Sequence, residues 1–137
     1  MGCVDGLRLE LTPDSKWPAG AYRIEIEADG ATQSCAAVLP LKACDAGQSV
    51  QCTGASLARI GESGCALPPG EHGLSDIQFS AAPKRVHVRI SRDGASRGEI
   101  AVIADQELTP EYRRLQPNGP DCEPVCNSAS ARLSLAF

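Results

Sequence analysis

Alternation of apolar and polar residues runs through most of this chain, and a period of two marks strands with one buried face. Residues 7–11, LRLEL, put Leu7, Leu9 and Leu11 on one face and Arg8 and Glu10 on the other. Residues 21–28, AYRIEIEA, set Tyr22, Ile24 and Ile26 inward against Arg23, Glu25 and Glu27. Asp29-Gly30 follows, a pair suited to a tight hairpin because both turn positions need positive φ. A two-residue loop sets the register. Ile26 faces Gln33, Ile24 faces Cys35 and Tyr22 faces Ala37, so Cys35 falls on the core side.

Further on, QSVQC and SLARI are short strand candidates, ALPPGEHGL reads as a loop, and Ile77 and Phe79 keep step in SDIQFSA. The clearest strand is KRVHVRIS, with Val86, Val88 and Ile90 inward and Arg85, His87 and Arg89 outward. EIAVIA is apolar on both faces, which predicts a central strand covered on each side. DQELTPEYRRL offers one short helical turn capped by Asp105 or Thr109. Residues 109–126 are loop-like, and ARLSLAF closes the chain with Leu133, Leu135 and Phe137 inward. Strands at this spacing predict an all-β fold: one antiparallel β-sandwich domain over 1–137, Greek-key and immunoglobulin-like, with about seven to nine strands. Residues 1–5 are set apart as a flexible N-terminal anchor region. Trp17, in SKWPAG, is expected to cover an open end of the core.

Charge and composition narrow the function classes. The net charge of −4 argues against nucleic acid as the main partner. Aromatic residues make up only 4% of the chain, too few for a ligand-stacking platform. No apolar run approaches the roughly 20 residues of a membrane-spanning helix.

Seven cysteines are the strongest compositional signal. Zinc sites favour short pairs such as C-x2-C. Here the gaps between Cys35, Cys44, Cys52, Cys65, Cys122 and Cys126 are 8, 7, 12, 56 and 3 residues, and neither His72 nor His87 stands in a ligand-like pair. Structural disulfides among these six are the better reading, and they imply an oxidising compartment. Proximity favours Cys44 with Cys52. Cys122 and Cys126 either close a small ring or staple different strands. Cys3 is left over, and a lipid-modified cysteine opens a mature bacterial lipoprotein, so Cys3 is the lipidation candidate. Myristoylation of Gly2 is disfavoured because its motif wants Ser or Thr at the position of Gly6. Export, to a periplasm or cell surface, then implies a leader removed ahead of these residues.

No catalytic constellation emerges: no serine stands in G-x-S-x-G, and no calcium loop of the D-x-D-x-D-G type is present. No cofactor is expected. A candidate loop site for metal or acid–base chemistry groups Glu71, His72 and Asp76. A second candidate is a polyanion or adhesion surface on Arg85, His87, Arg89 and Arg92, within a basic stretch that also holds Lys84, Arg97, Arg113 and Arg114. Acidic residues are interspersed there, including Asp93, Glu99 and Glu107, and Glu25 and Glu27 also face outward. Cross-strand ion pairing is therefore the stronger expectation.

Residues 116–126, QPNGPDCEPVC, together with DGATQSC and VRISRDG, resemble the small uncharacterised lipoproteins of the myxobacterial kind. Those end in a similar Pro-Asn-Gly…Cys-x-Pro-x-Cys segment after a tyrosine, here Tyr112. The resemblance implies an exported β-sandwich near a membrane, with an unknown protein or an envelope component as partner. It implies no enzymatic activity.

Overall fold

The computed structural model describes residues 5–93, 100–121 and 123–137. Ten strands lie among them: β1 (Gly6–Pro13), β2 (Gly20–Ala28), β3 (Ala31–Leu39), β4 (Gln51–Gly54), β5 (Ala58–Ser63), β6 (Gly73–Phe79), β7 (Val86–Asp93), β8 (Ile100–Leu108), β9 (Arg113–Leu115) and β10 (Cys126–Leu135). They form two five-stranded sheets, ordered β5-β6-β1-β10-β9 and β4-β3-β2-β7-β8. The chain changes sheet after β1, β4, β6 and β8.

One apolar cluster fills the space between the sheets. Leu9, Ile77 and Leu133 reach it from one side, and Ile24, Val88 and Ile90 from the other. These are the inward positions of the period-two pattern, and their burial drives the fold. The all-β sandwich is thus the architecture the alternation predicts. All pairings are antiparallel except that of β1 with β10, which runs parallel from Gly6↔Ser128 to Pro13↔Leu135. A parallel neighbour requires a long connection, and these two strands stand near opposite ends of the chain.

The β2–β3 hairpin has the expected register, with Tyr22↔Ala37, Ile24↔Cys35 and Ile26↔Gln33. Its turn uses positive φ at both Asp29 (49°) and Gly30 (86°). The Asp29 carboxylate also accepts the backbone N–H groups of Lys84 and Arg85, which ties this turn to the start of β7. Gly6 is a second position that requires glycine. Its φ is +130°, and an added Cβ would stand 2.4 Å from the Phe79 carbonyl oxygen of neighbouring β6.

Three expectations are corrected. β8 is an edge strand, not a central one: it pairs with β7 alone, and its Ile100 and Val102 face solvent. Residues 105–108 continue β8, and 113–115 form β9, so the short helical turn is absent. The loop read over 66–74 holds a 3-10 turn at Pro69–Glu71 and then enters β6, and its histidine is buried.

Trp17 covers one end of the core. Its ring lies 5.3 Å from that of Tyr22, edge-on, and 5.1 Å from that of Phe137. Gly73 makes room for it, since a Cβ there would sit 2.5 Å from the indole. Such aromatic contacts add to the area they bury. Tyr22 also donates its hydroxyl to the Pro18 carbonyl, and Tyr112 to that of Pro83.

Candidate functional site

The disulfides point to an oxidising environment. Cys35 and Cys52 face each other in the β3–β4 register and form a disulfide. Cys44, in the loop between those strands, is joined to Cys65, just beyond β5. The Cys44–Cys52 pairing favoured by proximity is therefore wrong. Strand register places Cys52 opposite Cys35, while Cys44 reaches toward the other sheet. Cys126, which opens β10, is also disulfide-bonded. Cys3 and Cys122 lie outside the described residues, as does the rest of the anchor region except Asp5, whose carboxylate accepts the Asn127 N–H at 2.6 Å.

Glu71, His72 and Asp76 do not converge. The His72 ring is buried, with Nδ1 accepting the Leu41 N–H at 2.9 Å and Nε2 facing the Leu67 carbonyl at 2.8 Å. A ring that accepts at one nitrogen must be unprotonated there, and a nitrogen opposite a carbonyl must donate. His72 is thus a neutral Nε2–H imidazole with both nitrogens bound to backbone. Glu71 pairs with Lys16, and Asp76 with Arg8 at 2.9 Å. Among the described residues no group of three or more His, Cys, Asp or Glu side chains is placed to hold a metal ion. His72→Phe keeps the ring and strands two backbone groups, so it should lower stability by about 2–4 kcal/mol. Urea denaturation reads the loss.

The row of Arg85, His87, Arg89 and Arg92 is not one surface. Arg85, His87 and Arg89 line the outer face of the second sheet, as alternation requires. Arg85 pairs with Glu107 and His87 with Asp105. Glu107 raises the Arg85 pKa, first by its hydrogen bond and then by its charge. Arg89 stands in register between Glu25 and Asp105. Carboxylates on both flanks leave these side chains little reach for an external polyanion, and the outer face is the mixed-charge grid expected of a solvated sheet.

Arg92 corrects its assignment to this row. It has the parity of Val88 and Ile90, and it stands opposite buried Tyr22. Its side chain lies over Gly20, and its Nε is buried with no hydrogen-bond partner among the described residues.

Burial raises the Tyr22 pKa above its ordinary 10.0, against the opposing charge and hydrogen bond of Arg92. Tyr112 is also raised, by burial and then by the charge of Asp29. Both groups favour the neutral form in the folded state. Their contribution is fully present below the unfolded value and is lost as pH rises through the folded one. Stability should therefore fall as pH climbs beyond about 10. Denaturation midpoints taken alongside tyrosinate absorbance check this, and tyrosines titrating at or below their ordinary value would contradict it.

One polar residue escaped the sequence reading. Gln33 is buried on the core face of β3 and bridges the two sheets. It donates to the Ala58 carbonyl at 3.0 Å and accepts the N–H groups of Leu57 and Ala58. Its signal was present: alternation places a glutamine between inward Cys35 and the hairpin turn, and a buried amide must find partners.

Two of the concave surfaces among the described residues involve the first sheet. One lies over the outer face of the first sheet, lined by Arg8, Arg59, Gln78, Ser128 and Ser130. The other is a cleft of about 720 Å³ beneath the crossing from β8 to β9, bordered by Leu7, Leu108, Tyr112, Ala129 and Ala131.

The geometry defines a class: a two-sheet, disulfide-stapled β-sandwich. No protein-family model matches the chain, and neither a curated protein nor a solved structure matches it. Among the described residues no helix is long and apolar enough to cross a membrane.

Proposed function

We propose that this protein is an exported β-sandwich that works by binding or as an envelope component, not by catalysis. The observation that carries the reading is the pair of interlocking disulfides, Cys35–Cys52 and Cys44–Cys65. Such bonds persist where the surroundings are oxidising. The side chains that catalysis would need support it too. His72 is bound at both ring nitrogens by backbone, and His87 is paired to Asp105. Lipid attachment at Cys3 is part of the same proposal, and it would hold the domain at a membrane surface.

Fractionation of the native cells, with thiols alkylated before lysis, tests the reading. The protein should appear in an envelope or extracellular fraction with its cysteines protected. A cytosolic protein with alkylated cysteines would overturn it. Partition into a detergent phase, abolished by Cys3→Ser, tests the anchor separately.

A further inference from the structure

The free edge of β10 has the chemistry of a docking site. β9 pairs only with Cys126, Asn127 and Ser128. Beyond Ser128, no strand among the described residues forms a hydrogen-bonded ladder with β10 on the side away from β1, and β8 approaches only its far end. Backbone direction follows from the hydrogen bonds. The Leu135 carbonyl accepts the backbone N–H of Asp14, just past β1, and the Leu133 carbonyl accepts the hydroxyl of Thr12. Alternation then turns the N–H and C=O groups of Ser130, Arg132 and Ser134 toward the open side. Those three residues are exposed. At the far end the Ala136 N–H bonds to the Ile103 carbonyl of β8. The open stretch is thus a slot, bounded by β9 at one end and by this bond at the other.

Side chains give the slot two characters. On the core side, Ala129 and Ala131 are small and partly buried, and they open onto the 720 Å³ cleft beside Leu7, Leu108 and Tyr112. On the outer side stand Arg132 and, in register with Ser128, Arg113. Arg113 and its neighbour Arg114 have no ion-pair partner among the described residues, and Arg132 meets Glu10 at 3.5 Å. A strand added here would place alternate side chains in the cleft, whose lining mixes Leu7, Leu108 and Ala131 with Thr109 and Glu111, and the others beside Arg132 and Arg113.

We propose that this slot takes an extended segment of a partner protein by strand addition, one that alternates small apolar residues with carboxylates. Main-chain hydrogen bonds supply the attachment, and the two faces supply selectivity. The charge of the rim chooses the occupant: Arg113, without an ion-pair partner among the described residues, favours an acidic strand, and Arg132, which meets Glu10, disfavours a second copy of β10. The inference deepens the binding reading given above and names its partner class.

The test uses the oxidised full-length protein and a nine-residue fluorescent peptide alternating valine and glutamate. The peptide should bind, and it should slow amide exchange at Ser130, Arg132 and Ser134. A peptide alternating valine and lysine should bind at least about tenfold more weakly. Ser130→Pro removes one edge donor without touching the β1 ladder, and it should abolish binding. Should that variant misfold, Ala131→Leu fills the cleft and should have the same effect. Equal binding of both peptides, or no binding with the disulfides intact, overturns the slot while leaving export standing. Self-association that buries Ser130 and Arg132 also overturns it. Free thiols in the native cell would instead remove the export reading.

Discussion

Leu9→Ala should lower the stability of the fold by about 2–5 kcal/mol, the range for deleting a fully buried leucine side chain. Leu9 is completely buried in β1. It lies between Ile77 of antiparallel β6 and Ala131 of parallel β10. Neighbours drawn from distant parts of the chain cannot collapse into the void together, which places the loss toward the upper part of that range. The measurement is a urea midpoint shifted down at unchanged slope. A loss below about 1 kcal/mol would mean that the site is not close-packed.

Removing the Cys35–Cys52 bond with a double alanine substitution should lower stability by about 3 kcal/mol. The bond closes a loop of sequence separation 17, which restricts the unfolded chain. It also seals the weakest edge of its sheet. β4 has only four residues, all exposed, and pairs with β3 alone. Loss of the bond should therefore free β4 first, seen as faster amide exchange at Gln51–Gly54 before global unfolding. The Cys44–Cys65 bond overlaps it in sequence, so the two losses are not additive. An unchanged midpoint in the double alanine variant would show that β4 is held by its ladder instead.

Much of the fold was legible because one face of each long strand is buried. Tyr22, Ile24 and Ile26 announce their strand by parity, and Asp29-Gly30 sets the register that brings Gln33, Cys35 and Ala37 opposite them. What parity does not encode is lateral position. Residues 100–104 are apolar on both faces, as a central strand would be, yet β8 stands at an edge with Ile100 and Val102 in solvent. A register shift between Ile90 and Ser91 accompanies this in the β7–β8 pair. The parallel contact between β1 and β10 was invisible for a similar reason, since nothing local distinguishes a parallel neighbour.

The site residues divide in the same way. Arg85, His87 and Arg89 were correctly placed outward, but their partners Glu107 and Asp105 come from β8, whose position was not readable. Arg92 was readable and was misplaced: it shares the parity of Ile90 and turns toward Tyr22. His72 shows the opposite limit. Its ring is held by the Leu67 carbonyl of its own loop and by the Leu41 N–H from the β3–β4 loop, and no periodicity links Leu41 to it. Cysteine pairing failed on proximity because register decides which sulfur atoms meet.

The most direct measurement is non-reducing peptide mapping of the purified protein, with a thiol count on the denatured, unreduced chain. The account predicts one peptide pair joining Cys35 to Cys52 and another joining Cys44 to Cys65. A Cys44–Cys52 link, or free thiols at these four positions, would contradict both the strand register and the oxidising compartment on which the proposed function stands.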